Sequence, residues 1–291
     1  MRKFTIAALA LAALALLFPG QVEARRGGGK ARFRVLSFNI RYDFENDGGN
    51  RWQYRADMVA HVIDQSLATV ACLQEDKAHQ VDDLKARLDR FEFIGRGRNA
   101  GGSGERCSIL YDPRHWRLRE GGDFWLSDTP DVQGSNTWGD KYPRKVTWAL
   151  LDSRAASKSL LVLNTHFVDG NRPDLRVKSA HVVKDWLKAK IGDNEDVAVV
   201  ITGDFNSGAG EEPHQILTDG TGLRDTYEEA RPKDPSPGTF NGFRGMQTNE
   251  RIDWILTRGP TRVWQTAKLD YNEAGKYPSD HYPIIADLEV R

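Results

Sequence analysis

The chain has 291 residues with 41 Lys+Arg and 41 Asp+Glu, so its formal net charge is zero. A balanced surface supplies no global field to gather polyanions, which disfavours a protein whose main work is holding duplex nucleic acid. Two cysteines are too few for a disulfide-built scaffold, and their surroundings show no zinc-ligand spacing.

Met1, Arg2 and Lys3 lead an apolar run to Phe18, which Pro19 and Gly20 break. Val22 and Ala24 then supply the small-residue pair of a cleavage site, so residues 1–24 read as a signal peptide. The run is too short to span a bilayer comfortably and no second one follows, so no transmembrane anchor is expected after cleavage. The expectation is export to a periplasm or outright secretion. Residues 25–32 read as a flexible basic tail, and residues 33–291 as one domain with no dividing linker.

Phe33–Ile40 alternates with period two and is predicted to be a strand. A helix is predicted from Asn50, with Gln53 as capping-box partner and Trp52, Ala56, Val59 and Ile63 on one face. Leu67–Leu73 reads as a strand and Asp82–Arg90 as a short helix. Gly95–Gly104 is a Gly-rich loop bearing Arg96 and Arg98.

Cys107–Tyr111 and Trp116–Trp125 read as consecutive strands of a meander. Lys145–Leu151 and Leu160–Phe167 form a predicted hairpin. A helix carrying Leu175, Val182, Val183, Trp186 and Leu187 follows, closed by Gly192. Val197–Thr202, Ile252–Thr257 and Tyr282–Val290 are the remaining predicted strands. Strands that partly alternate with helices and partly follow one another imply an α/β fold: a four-layer sandwich of two packed mixed β-sheets flanked by helices. Cys72 and Cys107 lie in apolar, strand-like runs, where a lone cysteine behaves as a small buried hydrophobe; an oxidising compartment would permit a bridge between them.

Acidic, amide and imidazole residues gather at the ends of these strands, where α/β sheets place their sites. Asn39 closes the first, Glu75 the second, and Asn164 and His166 a later one on a shared face. Asp204 and Asn206 follow the Val197 strand, Asp253 lies in Arg-Ile-Asp-Trp, and Asp280 and His281 precede the last strand. Each fragment alone has a bland alternative: a solvated loop charge, a turn, or a structural histidine.

In this order the fragments SFNIR, LQE, NTH, GDFNS, RIDWIL and SDHYPI resemble the endonuclease/exonuclease/phosphatase superfamily, over essentially the whole chain after residue 32. The stretches GERCSILYD and DFWLSDTPDVQGSNTWGDKYPR look like a bacterial exported branch of it. The resemblance implies a metal-dependent phosphoesterase. Glu75, helped by Asn39 and Asp280, would hold Mg²⁺, with Mn²⁺ as the alternative. Asp204 would position and deprotonate the attacking water and Asn206 would hold a phosphoryl oxygen. His281, oriented by Asp253, would meet the developing charge, with His166 as a second phosphate contact.

Three departures from the family pattern stand out. Phe167-Val168-Asp169 follows NTH where many relatives have an acidic residue sooner. Arg106 replaces an aromatic or small residue, and Arg41 replaces an acid, facing either a phosphate oxygen or a carboxylate such as Glu75.

Arg41, Asn164, Arg144 and Arg96 are the candidate substrate-binding residues, with Trp125, Trp138 and Tyr142 near them. The implied partner is a phosphate mono- or diester of a small molecule (a sugar, nucleotide or lipid headgroup), acted on by a monomer. An exported nuclease or 3'-5' exonuclease on single-stranded nucleic acid is the alternative, disfavoured by neutral charge. A binding protein that has lost its chemistry is the third reading.

Overall fold

A strand that is apolar at consecutive positions buries both faces. That is the pattern of β2 (Val70–Gln74) and β8 (Ala198–Asp204), in which every residue is buried. The computed structural model, which describes residues 30–192, 194 and 197–291, places each inside a six-stranded mixed sheet. The first sheet runs β11 (Thr261–Lys268), β12 (Ile284–Val290), β1 (Ala31–Asn39), β2, β4 (Ile109–Tyr111), β3 (Glu92–Ile94). The second runs β5 (Trp116–Trp125), β6 (Lys145–Ser153), β7 (Ser159–His166), β8, β10 (Asp253–Arg258), β9 (Arg224–Asp225). The pairs β1–β2 and β7–β8 are parallel, and their neighbours pair antiparallel.

Side-chain parity sorts the apolar residues into three layers. Phe33, Val35, Val70 and Cys72 of the first sheet meet Leu160, Val162, Ala198 and Val200 of the second between the sheets. On the outer side of the first sheet, Leu36, Phe38 and Leu73 pack on α1 (Ala56–Gln65) and α2 (Ala78–Lys85) through Val59, Ile63 and Leu84. On the outer side of the second, Leu161, Leu163, Val199 and Ile201 pack on Val183 and Leu187 of α3 (Pro173–Ile191) and Leu217 of α4 (Glu212–Thr218). The molecule is the expected four-layer sandwich. Truncating any of these buried leucines to alanine removes a side chain from such a layer, at a cost of about 2–5 kcal/mol.

The predicted hairpin is β6–β7, and α3 stops where Gly192 takes a φ of 58°. Other expectations shift. The signal peptide and residues 25–29 lie outside the described residues. β1 already begins at Ala31, because Lys30 and Arg32 pair with the buried Glu289 of β12, so the last two residues of the expected tail belong to the strand.

The first helix starts at Ala56 behind two short 3-10 turns, and the Asn50–Gln53 capping box does not form. The Asn50 carbonyl instead accepts from the buried Arg55 guanidinium. The second helix lies four residues earlier than predicted, at Ala78. β4 and β5 are not a meander, since the chain changes sheets between them. Trp116 drives that crossing: it is buried edge-on against Phe33, with its indole N–H on Thr69 Oγ1. Cys72 and Cys107 are both buried and free. No helix among the described residues is long and apolar enough to cross a membrane.

Candidate active site

The inward face of each central strand changes from apolar to polar toward one end of the sandwich. In β1 the series is Val35, Ser37, Asn39; in β2 Val70, Cys72, Gln74; in β7 Val162, Asn164, His166; in β8 Val200, Thr202, Asp204. The register aligns these series, with Asn39 opposite Gln74, Asn164 opposite Thr202, and His166 and Asp253 both opposite Asp204. Because β12 runs antiparallel to β1, its start brings Asp280 and His281 to the same rim.

Two tight turns fix the first functional groups. Asn39 Oδ1 accepts from the Arg41 N–H at 3.0 Å, and Asp204 Oδ1 accepts from the Asn206 N–H at 2.9 Å. These are the same Asx turn, made once in each sheet. Arg41 and Asn206 consequently sit at φ 56° and 49°, and Glu75, just past β2, at 66°. Left-handed backbone at three non-glycine residues around one cavity is strain of the kind that sites hold.

Asn39 Nδ2 bridges Glu75 Oε1 at 3.0 Å and Asp204 Oδ2 at 2.9 Å. The other Glu75 oxygen accepts from the Tyr42 N–H at 3.0 Å. Asp204 Oδ2 also stands 3.6 Å from Nε2 of both His166 and His281. His281 Nδ1 is 2.9 Å from Asp253 Oδ2. Asn206 Nδ2 contacts His166 Nε2 at 3.0 Å and donates to the Phe167 carbonyl at 3.1 Å.

The electrostatics divide these groups. Burial, reinforced by Asp253, pushes the Asp204 carboxyl up to about 7 despite His281 and Asn39. Burial also raises Asp280, with Glu75 adding to it. Burial alone would lower His281, but Asp253 and Asp204 outweigh it and hold the imidazolium well above its ordinary value. His166 goes the other way: burial, then Arg144 and Arg98, push it well below, so it is neutral and its Nε2 can accept from Asn206. Environments that drive paired groups apart in this way define acid and base roles.

Residues 36–281 match the model of the Endonuclease/Exonuclease/phosphatase family. The chain belongs to that family.

Structures of family proteins from Bacteroides thetaiotaomicron and Bacteroides vulgatus are 29% and 30% identical to it, with TM-scores of 0.84 and 0.83. The matches cover 91% and 90% of this chain and 97% and 100% of those chains. A mannosyl-6-phosphatase from Bacteroides thetaiotaomicron is 29% identical, with a TM-score of 0.80 over 88% of this chain and 99% of that one. No curated protein sequence matches. Endonuclease/exonuclease/phosphatase enzymes are hydrolases of phosphate esters, and their divalent-metal chemistry can be tested against the donors present here.

Ligand atoms of Glu75, His166 and Asp204 lie within 4.8 Å of one another, as do those of Asp204, Asp253 and His281. The second group is an ion-paired triad, because a protonated His281 has no lone pair to give. The first, with Asp280 on the same rim, concentrates carboxylate oxygens in a buried place. That donor set fits a hard divalent ion. Asn39, expected as a ligand, turns its Nδ2 toward both carboxylates, so its carboxamide would have to turn over to offer oxygen to an ion.

Among the candidate substrate-binding residues only Arg144 keeps an open role. Asn164 is fully buried and spends its capacity on internal hydrogen bonds, most of them joining the sheets. It donates to the Leu73 and Ser108 carbonyls at 2.7 and 2.9 Å and accepts from Gln74 and Thr202 at 2.7 and 3.2 Å. Arg96 points away to Asp123 and Gln133; its loop neighbour Arg98 is the one that reaches the site. Arg41 faces carboxylates, forking Asp47 at 3.0 Å and approaching Asp280 at 3.9 Å. Trp125 is buried, Lys178 lies over the Trp138 ring, and Tyr142, which lines the cavity, carries Arg98 at 4.4 Å over its ring, so none of the three offers a free stacking face.

A cavity of about 390 Å³ opens beside Glu75 and His166, walled by Arg98, Glu105, Tyr142 and Arg144 among others. Lys77, Glu105 and Lys141 in this wall were not legible as site residues. Their one sequence signal is position: Lys77 lies two residues after LQE, Glu105 within GERCSILYD, and Lys141 within the stretch that ends in KYPR.

Proposed function

We propose that this chain hydrolyses the phosphate ester of a small hydroxylated molecule, a sugar phosphate foremost, with a water deprotonated by Asp204 at a Mg²⁺ site. The cavity carries the reading. Its wall interleaves carboxylates, cations and the tyrosines Tyr42 and Tyr142, which suits hydroxyl groups and an anion. The likeness to a mannosyl-6-phosphatase supports the same substrate class.

A divalent ion held by Glu75 and Asp280 would neutralise phosphoryl charge. Asp204 Oδ2 takes the proton of the attacking water, a task suited to a carboxyl raised toward neutrality. The His281 imidazolium, kept in place by Asp253, donates from Nε2 to the phosphoryl oxygen as charge builds on it. The Asn206 amide holds another of those oxygens beside neutral His166. Export through residues 1–24 would place the activity outside the cytoplasm.

The test compares release of phosphate from glucose 6-phosphate, cleavage of bis(p-nitrophenyl) phosphate, and shortening of a single-stranded oligonucleotide, all with Mg²⁺. Preference for glucose 6-phosphate is the expected outcome. Preference for the oligonucleotide would replace this reading with the exonuclease one.

A further inference from the structure

The wall of the catalytic cavity carries more positive charge than the scissile phosphate requires. Arg41, Lys77, Arg98, Lys141 and Arg144 line it against the carboxylates Glu75, Glu105 and Asp169. With Glu75 balanced by a divalent ion, five cations face two carboxylates.

Two of the five are saturated. The Arg41 fork closes on Asp47, and the Arg98 fork closes on Glu105 at 2.8 and 2.9 Å. The other three are not. Lys77 and Lys141 make no carboxylate ion pair among the described residues; their ammonium groups lie 4.5 Å from the Tyr42 ring and 5.0 Å from the Tyr142 ring. Lys77 additionally donates to the Asp43 carbonyl at 2.9 Å.

Arg144 is buried. Its NH2 holds the exposed Asp169 at 2.8 Å; Nε, 3.5 Å from Asp140, and NH1 are both buried without a hydrogen-bond partner. A buried guanidinium donor left unpaired is costly, the more so because it is charged, so it is complementary to an anionic oxygen that arrives with the substrate.

We infer that this cavity is a second anion subsite: the alcohol part of the substrate carries its own anionic group, a phosphate or a carboxylate, bound by Arg144 NH1 with Lys77 and Lys141. The inference rests on the phosphoesterase reading and narrows it. A neutral sugar phosphate would leave NH1 unpaired in the complex, whereas a sugar bisphosphate or a phosphorylated sugar acid would satisfy it.

The experiment measures kcat/KM with Mg²⁺ for glucose 6-phosphate, glucose 1,6-bisphosphate and 6-phosphogluconate, using the wild-type chain and the variants Arg144→Gln and Lys141→Gln. Lys141 is exposed, so its substitution spares folding if that of buried Arg144 does not. Wild type should favour a doubly anionic ester over glucose 6-phosphate by about tenfold, and each variant should erode that ratio, as loss of a charge-assisted contact does. Preference for the bisphosphate identifies phosphate as the second group, and preference for the gluconate identifies carboxylate. Turnover of glucose 6-phosphate with no preference, or equal losses on all three esters in the variants, would overturn this inference alone. Turnover of none would overturn the phosphoesterase reading and this inference with it.

Discussion

His281 Nδ1 stands 2.9 Å from Asp253 Oδ2, and through that contact the segment before β12 of one sheet is held against β10 of the other. The pair is buried, and the Phe240 ring covers it edge-on at 5.2 Å from the imidazole. One proton position is thereby settled: with Nδ1 engaged by Asp253, the free Nε2 faces Asp204. Asp253 raises His281 and also raises Asp204, so in the proposed chemistry one carboxylate would prepare both an acid and a base.

Replacing that carboxylate should undo both effects. Asp253→Asn is expected to lower kcat by about a hundredfold, the usual scale for losing an electrostatic partner of the transition state. It should also bring the His281 titration, followed by NMR of the ring protons, down toward its ordinary value. An unchanged His281 titration would show that Asp253 does not orient or charge the imidazole.

Asn164→Leu should instead act on stability. Asn164 links β7 to the Leu73 and Ser108 carbonyls across the sheet interface, and a leucine would remove this donor from both, leaving the Ser108 carbonyl only the Leu73 N–H. At about 1–3 kcal/mol for each lost partner, the variant should melt well below wild type in a circular-dichroism scan. A variant of wild-type stability would refute the structural role.

How much of this was legible before the structure depended on what each residue does. Glu75, His166, Asp204, Asp253 and His281 lie in short fragments at strand ends, and the central strands that align them announced themselves by apolar runs. Asn164 sits in the same kind of fragment, yet one turn of parity deeper, and no sequence pattern distinguishes an amide that ties sheets from one that meets substrate. β11 was missed because its residues are half-exposed edge positions with a bulge between Val263 and Gln265, which breaks the alternation. Arg96 and Arg98 share one Gly-rich loop, and only their tertiary partners, Asp123 and Glu105, show which enters the cavity.

A pH prediction follows from Asp225, away from the metal site. Burial would raise this carboxyl, but the His214 hydrogen bond and the Arg251 ion pair outweigh it and hold it below the usual carboxylate range. A depressed folded-state value means stability that is present above the unfolded carboxylate range and is lost as pH falls through the lower folded value. Asp225→Asn should cost about 3 kcal/mol at pH 7, since it strands buried Arg251. That difference should shrink steadily in denaturant titrations run toward pH 3. A pH-independent difference would contradict the linkage.

Cys72 and Cys107 should count as two thiols. Burial pushes both up to about 12, so neither is a thiolate near neutrality. Ellman's reagent should therefore react only after unfolding, with no reductant needed. Immediate reaction in the folded protein, or none after unfolding, would contradict the buried free-thiol assignment.

The proposed role of Asp204, activating water at a divalent-metal site, is tested most directly by phosphate release from glucose 6-phosphate by wild type and Asp204→Asn, with Mg²⁺ and then with EDTA. Turnover that needs Mg²⁺, disappears with EDTA, returns on adding the metal back, and falls at least a hundredfold in a folded Asp204→Asn protein is the result expected. Turnover indifferent to EDTA, or undiminished in Asp204→Asn, would contradict it.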